Sequence, residues 1–293
     1  MAESAPQTTP PPSNDAPQAA SFKSKFVEAG SVKLHYLDYG TANRPPMLCV
    51  HGSAAHAHWF DFVAPGFTPD YHVLSVDLRG HGESAWVRPP NYFYSDYAAD
   101  LNAAVEALDL RDFVLVGHSM GGAVSLLYAA TYPGRAKSLI VIDTTVNLSP
   151  ERIAAMREVG ARPGRVYATQ EELIARYKLR PGNSHATPEI VRYIASHSAR
   201  QIDDGSWALK FDRDVYATRE VSDGRPSWNK IKIPSLLVKG DHSDRLNSQV
   251  VADVKERCPQ IEVVEVSGSD HHVTLDNPKM FIDVVKPFLA RNR

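Results

Sequence analysis

An α/β fold with a mostly parallel sheet is predicted by two features of the sequence. Six apolar runs, MLCV, HVLSV, FVLV, SLIVI, PSLLV and IEVVEV, are near-continuous rather than alternating, as strands covered on both faces require. Helical periodicity stands between them: Tyr97, Leu101, Val105 and Leu108 recur after a capping Ser95, and Val250, Val251 and Val254 precede a stop at Pro259. Strands alternating with helices make a layered fold. The 293 residues are 43% hydrophobic and 23% charged, enough apolar material for one main core with room for an insertion.

Taken in order, residues 1–22 read as a disordered tail, because MAESAPQTTPPPSNDAPQAA has no large aliphatic or aromatic side chain after Met1 to offset its ordering entropy. It has neither the basic and apolar regions of a secretory signal nor the arginines of a transit peptide; a Pro-rich docking ligand is the alternative use. FVEAG and SVKLHYLDYG follow as an antiparallel hairpin around Gly30, with Val32, Leu34 and Tyr36 alternating against Lys33 and His35. The strand–helix alternation breaks over residues 146–228, which read as amphipathic helices and turns, hence an inserted cap. Residues 23–145 and 229–293 then form the core.

Several functions are excluded by composition. Lysine and arginine number 32 against 34 acidic residues, and a net charge of −2 offers no field for nucleic acid or anionic lipid. No apolar stretch reaches the length of a membrane span. Cys49 and Cys258 form neither a CxxC motif nor a disulfide framework, which fits a reducing cytoplasm.

The chemistry-bearing feature is Gly117-His118-Ser119-Met120-Gly121-Gly122, between the strand FVLV and the helical AVSLLYAA. A sharp strand-to-helix turn needs small residues beside the serine and holds its hydroxyl outward. A serine hydroxyl needs a base to take its proton, and a histidine base needs an acid to fix its tautomer. Downstream stand Asp241-His242-Ser243-Asp244-Arg245-Leu246 and Ser269-Asp270-His271-His272-Val273-Thr274-Leu275-Asp276-Asn277-Pro278. The Met120 N–H, at the start of a helix, suits an oxyanion.

Together with GHSMGG, the motifs His51-Gly52-Ser53, Asp77-Leu78-Arg79-Gly80-His81-Gly82-Glu83-Ser84 and HHVTLDNP stand in order, and the sequence from Lys25 onward resembles an α/β-hydrolase. The resemblance implies an eight-stranded, mostly parallel sheet with helices on both faces and a helical cap after strand six. It makes Ser119 the nucleophile and places the base at His271 rather than His272, five residues before Asp276. For the acid, G-x-x-S-D-R-L resembles a variant of the family pattern that assigns Asp244; Asp241, and Asp143 at the end of SLIVID, are the alternatives. By analogy the Ser53 N–H joins that of Met120 in the oxyanion hole.

These residues point to hydrolysis of a carboxylic ester or lactone of a small to medium substrate, without cofactor or metal. His56-Ala57-His58-Trp59-Phe60-Asp61 lacks the order of dinuclear zinc hydrolases, and RGHGES lacks the Lys-Ser/Thr of a P-loop. Serine rather than aspartate at 119 argues against dehalogenase or epoxide hydrolase chemistry. The alternatives are C–C hydrolysis of a vinylogous diketone, from which His118 leans away because such enzymes often carry Asn there, and a non-catalytic ligand receptor. Arg152, Arg157, Arg162, Arg165, Arg176 and Arg180 read as a solvated cap face or as steering for an anionic substrate, and Trp207, Tyr216 and Trp228 as core or pocket-lining residues.

Overall fold

The computed structural model describes residues 18–293. The antiparallel pair β1 (Lys23–Ala29) and β2 (Val32–Asp38) opens the fold. Then come β3 (Pro46–Val50), β4 (His72–Val76), α1 (Tyr94–Ala107), β5 (Phe113–His118), α2 (Met120–Thr131) and β6 (Ala136–Ile142). Residues beyond β6 form α3 (Pro150–Ala161), α4 (Gln170–Arg176), α5 (Pro188–Ser198), a short antiparallel pair β7 (Ala199–Gln201) and β8 (Trp207–Leu209), α6 (Asp214–Ala217) and α7 (Arg225–Trp228). The chain closes with β9 (Ser235–Gly240), α8 (Ser248–Arg257), β10 (Glu262–Val266), α9 (Val273–Asp276) and α10 (Pro278–Arg291).

Eight strands form one sheet in the order β1-β2-β4-β3-β5-β6-β9-β10. Only β1/β2 and β2/β4 are antiparallel; the remaining neighbours are parallel. Although the central strands are mostly apolar, alternate side chains still divide between two faces. Leu48, Val50, Leu115, Leu139 and Leu237 pack with Tyr97, Leu101, Val124 and Tyr128 of α1 and α2. Met47, Cys49, Val114, Ile140 and Val238 pack with Phe281, Val285 and Phe288 of α10. Burying each such side chain contributes about 1.5–3 kcal/mol, so both helical layers hold the sheet. Strand order reverses between β3 and β5, and in open α/β sheets the crevice at such a reversal is where ligands bind.

The segment between β6 and β9 lies over this crevice. Its backbone is tied down by the RGHGES turn: Gly82 N–H donates to Lys210 O at 2.9 Å and Asp212 N–H to Gly80 O at 2.8 Å. Asp212 also accepts from Arg88 and from the Tyr92 hydroxyl, each at 2.5 Å. On the other side Tyr193 Oη–H donates to Asp61 at 2.5 Å. The RGHGES turn thus docks the segment between β6 and β9.

Three expectations need correction. The tail expected over residues 1–22 lies outside the described residues as far as residue 17, but residues 18–22 are bound: Ala20 N–H donates to Asp61 O at 2.8 Å, and Phe22 meets the His58 ring edge-on at 4.9 Å. Helix α1 begins before Ser95, because the Asp96 carboxylate accepts the Phe93 N–H at 3.1 Å and caps the first turn there. The insertion is also not wholly helical, since β7 and β8 pair within it.

Candidate active site

Ser119 occupies the turn between β5 and α2 with φ +53° and ψ −120°, a strained conformation for a residue with a Cβ. The turn closes because its flanks are bare. A Cβ on Gly121 would lie 2.3 Å from the carbonyl oxygens of Val50 and His51, and one on Gly117 would lie 2.5 Å from Gly121 O. The Ser119 N–H donates to Ile142 O at 3.0 Å, which anchors the bend to β6.

His271, in the loop between β10 and α9, sets its Nε2 3.0 Å from Ser119 Oγ. Its Nδ1 lies 2.7 Å from Asp143 Oδ2. A carboxylate only accepts, so Nδ1 carries the proton and Nε2 is left to accept from the serine. Burial, with His272 and Arg152 adding, holds the imidazole below its ordinary pKa, so it is a neutral base near pH 7. Asp143 follows β6, is 0% exposed, and also accepts from Ser243 Oγ at 2.7 Å. Burial pushes its pKa up to about 6, against the lowering effect of the Ser243 hydrogen bond.

Ser119 and His271 are therefore brought together, and Asp244 is not with them. The Asp244 side chain is 96% exposed and its ion-pair partner is Arg245 at 3.5 Å, so the expected pairing of Asp244 with the histidine is corrected: the carboxylate that meets His271 is Asp143. The physical reason is that the loop after β9 turns its serine, not its aspartate, inward; Ser243 supports a carboxylate delivered from β6. Asp241 accepts the N–H groups of Gly268 and Ser269 at 3.0 and 2.9 Å and holds the turn after β10.

The residues around His271 fix its loop. His118 Nε2–H donates to His271 O at 2.7 Å, and His272 Nε2–H donates to Pro181 O at 2.9 Å, so the adjacent histidines point to different partners. Asp276 accepts from Asp270 N–H at 2.9 Å and from His185 N–H at 2.8 Å, clamping the histidine loop to the cap. The aspartate of the D-N-P stretch is thus a structural brace.

Ser53 and Met120 both line a cavity of about 650 Å³ that has Ser119 and His271 in its wall. His51 accepts the Leu78 N–H on Nε2 at 3.0 Å and donates from Nδ1 to Gly52 O at 2.7 Å, which fixes the Gly52–Ser53 peptide. No hydrogen bond among the described residues takes up the Ser53 N–H, and Met120 begins α2, where helix geometry leaves the N–H free. Of the arginines singled out in the sequence, Arg157 donates to Arg219 O at 2.6 Å, while the other five line the cavity. Tyr216 lines it too, and Trp228 is a core residue. Arg213, Arg219 and Arg245 also line it and were not legible, because no local pattern marks an arginine whose partner lies across the fold.

The model of the alpha/beta hydrolase fold family matches residues 45–278, and the chain belongs to that family. Among its relatives, 2-(acetamidomethylene)succinate hydrolase of Mesorhizobium japonicum is 27% identical over 276 residues, covering 92% of this chain and 95% of the relative. An esterase of Mycobacterium tuberculosis is 27% identical over 277 residues, covering 90% and 88%. The crystal structure of E-2-(acetamidomethylene)succinate hydrolase superposes with a TM-score of 0.81 at 26% identity, covering 92% of this chain and 100% of that one.

Proposed function

We propose that this chain is a serine hydrolase that cleaves a carboxylic ester or lactone through an acyl-enzyme. Ser119 Oγ attacks the acyl carbon while His271 Nε2 takes its proton, and Asp143 holds the imidazole in the required tautomer. The carbonyl oxygen becomes an oxyanion against the N–H groups of Ser53 and Met120. The tetrahedral centre collapses, the carbon–oxygen bond to the leaving group breaks, and Nε2–H protonates the departing alkoxide. Water, deprotonated by the same nitrogen, then attacks the acyl carbon and releases the acid and Ser119.

The observation that carries this reading is the unbroken line from Ser119 Oγ through His271 to Asp143, at 3.0 and 2.7 Å, beside the cavity. An intact line supports an enzyme rather than a receptor, and the esterase among the relatives supports the bond type. The cytoplasmic setting belongs to the same proposal, supported by two buried, unbridged thiols at Cys49 and Cys258. The test is turnover of para-nitrophenyl esters of graded acyl length by the native protein and Ser119→Ala. We expect a loss on the order of a millionfold in kcat; equal turnover by both would remove Ser119 from the mechanism.

A further inference from the structure

The cavity beside Ser119 has a charge that the chain as a whole lacks. Eight arginines and one lysine line it, against a single carboxylate, Asp143, while the net charge of the protein is −2. Asp143 is already committed to His271 and Ser243. Some of these cations belong to the outer face: Arg162 and Arg176 pair with Glu158 and Glu172 one helical turn away and are largely exposed. Arg219 does not.

Arg219 follows α6 and is only 4% exposed. Its guanidinium reaches from the cap to the core, where Nη1 donates to the Met120 sulfur at 3.5 Å and Nη2 to the Tyr94 hydroxyl at 2.5 Å. It also lies 4.4 Å from the centre of the Tyr94 ring. Nε has no partner among the described residues, and none of their carboxylates pairs with the group. An aromatic face, a phenol and a thioether do not neutralise a guanidinium that cannot lose its proton, and a buried charge without a counter-charge is costly. Tyr94 Oη, having accepted from Arg219, still has its own proton to donate towards the cavity that it lines.

We infer that the substrate carries a carboxylate, which docks against Arg219 and the Tyr94 hydroxyl and supplies the counter-charge missing from the cavity. Arg219 touches the side chain of the residue whose N–H serves the oxyanion hole, so this anchor sets the distance between the anion and the acyl carbon. This rests on the reading of Ser119 as the nucleophile. Arg219 is here a substrate-binding residue, and a charge-assisted, planar pairing with a carboxylate is the geometry that a guanidinium favours.

The test compares kcat/KM within two matched pairs of esters. Mono(para-nitrophenyl) succinate against para-nitrophenyl butyrate places the charge on the acyl part, and para-acetoxybenzoate against para-acetoxybenzamide places it on the leaving group. We expect the native protein to favour the charged member of one pair by roughly tenfold or more. That ratio should fall towards one in Arg219→Gln and return in part in Arg219→Lys. Equal or better turnover of the neutral member in both pairs overturns the inference, as does a ratio unmoved in an Arg219→Gln protein of native circular dichroism. Should Arg219→Gln not fold, competition in the native protein decides: succinate must inhibit neutral-ester turnover at least about tenfold more strongly than succinamide, and equal inhibition overturns the proposal. Labelling of Ser119 by a fluorophosphonate separates the two levels. Labelled Ser119 with no charge preference sinks only the carboxylate anchor, whereas unlabelled Ser119 sinks the nucleophile itself.

Discussion

Asp143, Ser243 and Asp244 show how two neighbouring hydroxyl and carboxyl groups can exchange places in importance. Asp143 is buried and accepts from His271 and Ser243 on the same oxygen, whereas Asp244 is open to solvent. Asp143→Asn presents an amide where Nδ1–H needs an acceptor and favours the wrong tautomer, so kcat should fall on the order of 10⁴-fold. Asp244→Asn should change kcat by less than about threefold, since an exposed pair contributes about 0–1 kcal/mol. Steady-state kinetics on one ester checks both. The pH profile tests the same site. Activity needs Asp143 ionised, so kcat/KM should fall as pH drops through about 6. Ser243→Ala removes a hydrogen bond that lowers this pKa, and the acid limb should therefore move to higher pH.

Helix α5 packs Ile190 and Ile194 into the core and adds a set of aromatic and ionisable contacts beside them. His197 stacks on His58 with ring centres 3.7 Å apart, Tyr193 donates to Asp61, and His56 Nε2 lies 2.9 Å from Ser198 Oγ. Burial first, then His58, lowers the His197 pKa to about 4; Lys210 acts in the same sense, and Asp61 and Glu83 oppose it. A histidine whose folded pKa lies below its unfolded value of about 6.5 favours the fold in its neutral form. Its contribution is complete above that value and is lost as pH falls towards 4. Limited proteolysis of residues 150–228 should thus be faster at pH 5 than at pH 7, and His197→Phe should flatten the difference. Unchanged cleavage rates across that range would show that this contact does not hold the cap.

For the whole molecule, the sheet depends on two helical layers, and α10 closes one of them through Phe281, Val285 and Phe288. Phe288→Ala leaves a void in a fully buried layer and should cost about 3–5 kcal/mol, lowering the urea midpoint without changing the slope. The same architecture gathers the site. Residues 51–53, 119, 143 and 271 are far apart in sequence, yet all follow the C-terminal ends of parallel strands, and those ends share one edge of the sheet.

What the sequence determined by itself was local. Continuous apolar runs defined the strands, buried throughout in β5 and only partly so in the edge strand β10, the glycines beside Ser119 marked a turn no larger residue could make, and His271 was legible through the resemblance of HHVTLDNP to the family motif. The acid was not legible, because Asp143, Asp241 and Asp244 all follow a strand, and only the packing of β6 beside β9 decides which carboxylate the imidazole meets. Arg219 was equally silent, since its charge gains meaning from being buried against Tyr94 and Met120, residues distant in sequence. Short-range sterics are written along the chain; desolvation and partnership of charges exist only once distant segments have met.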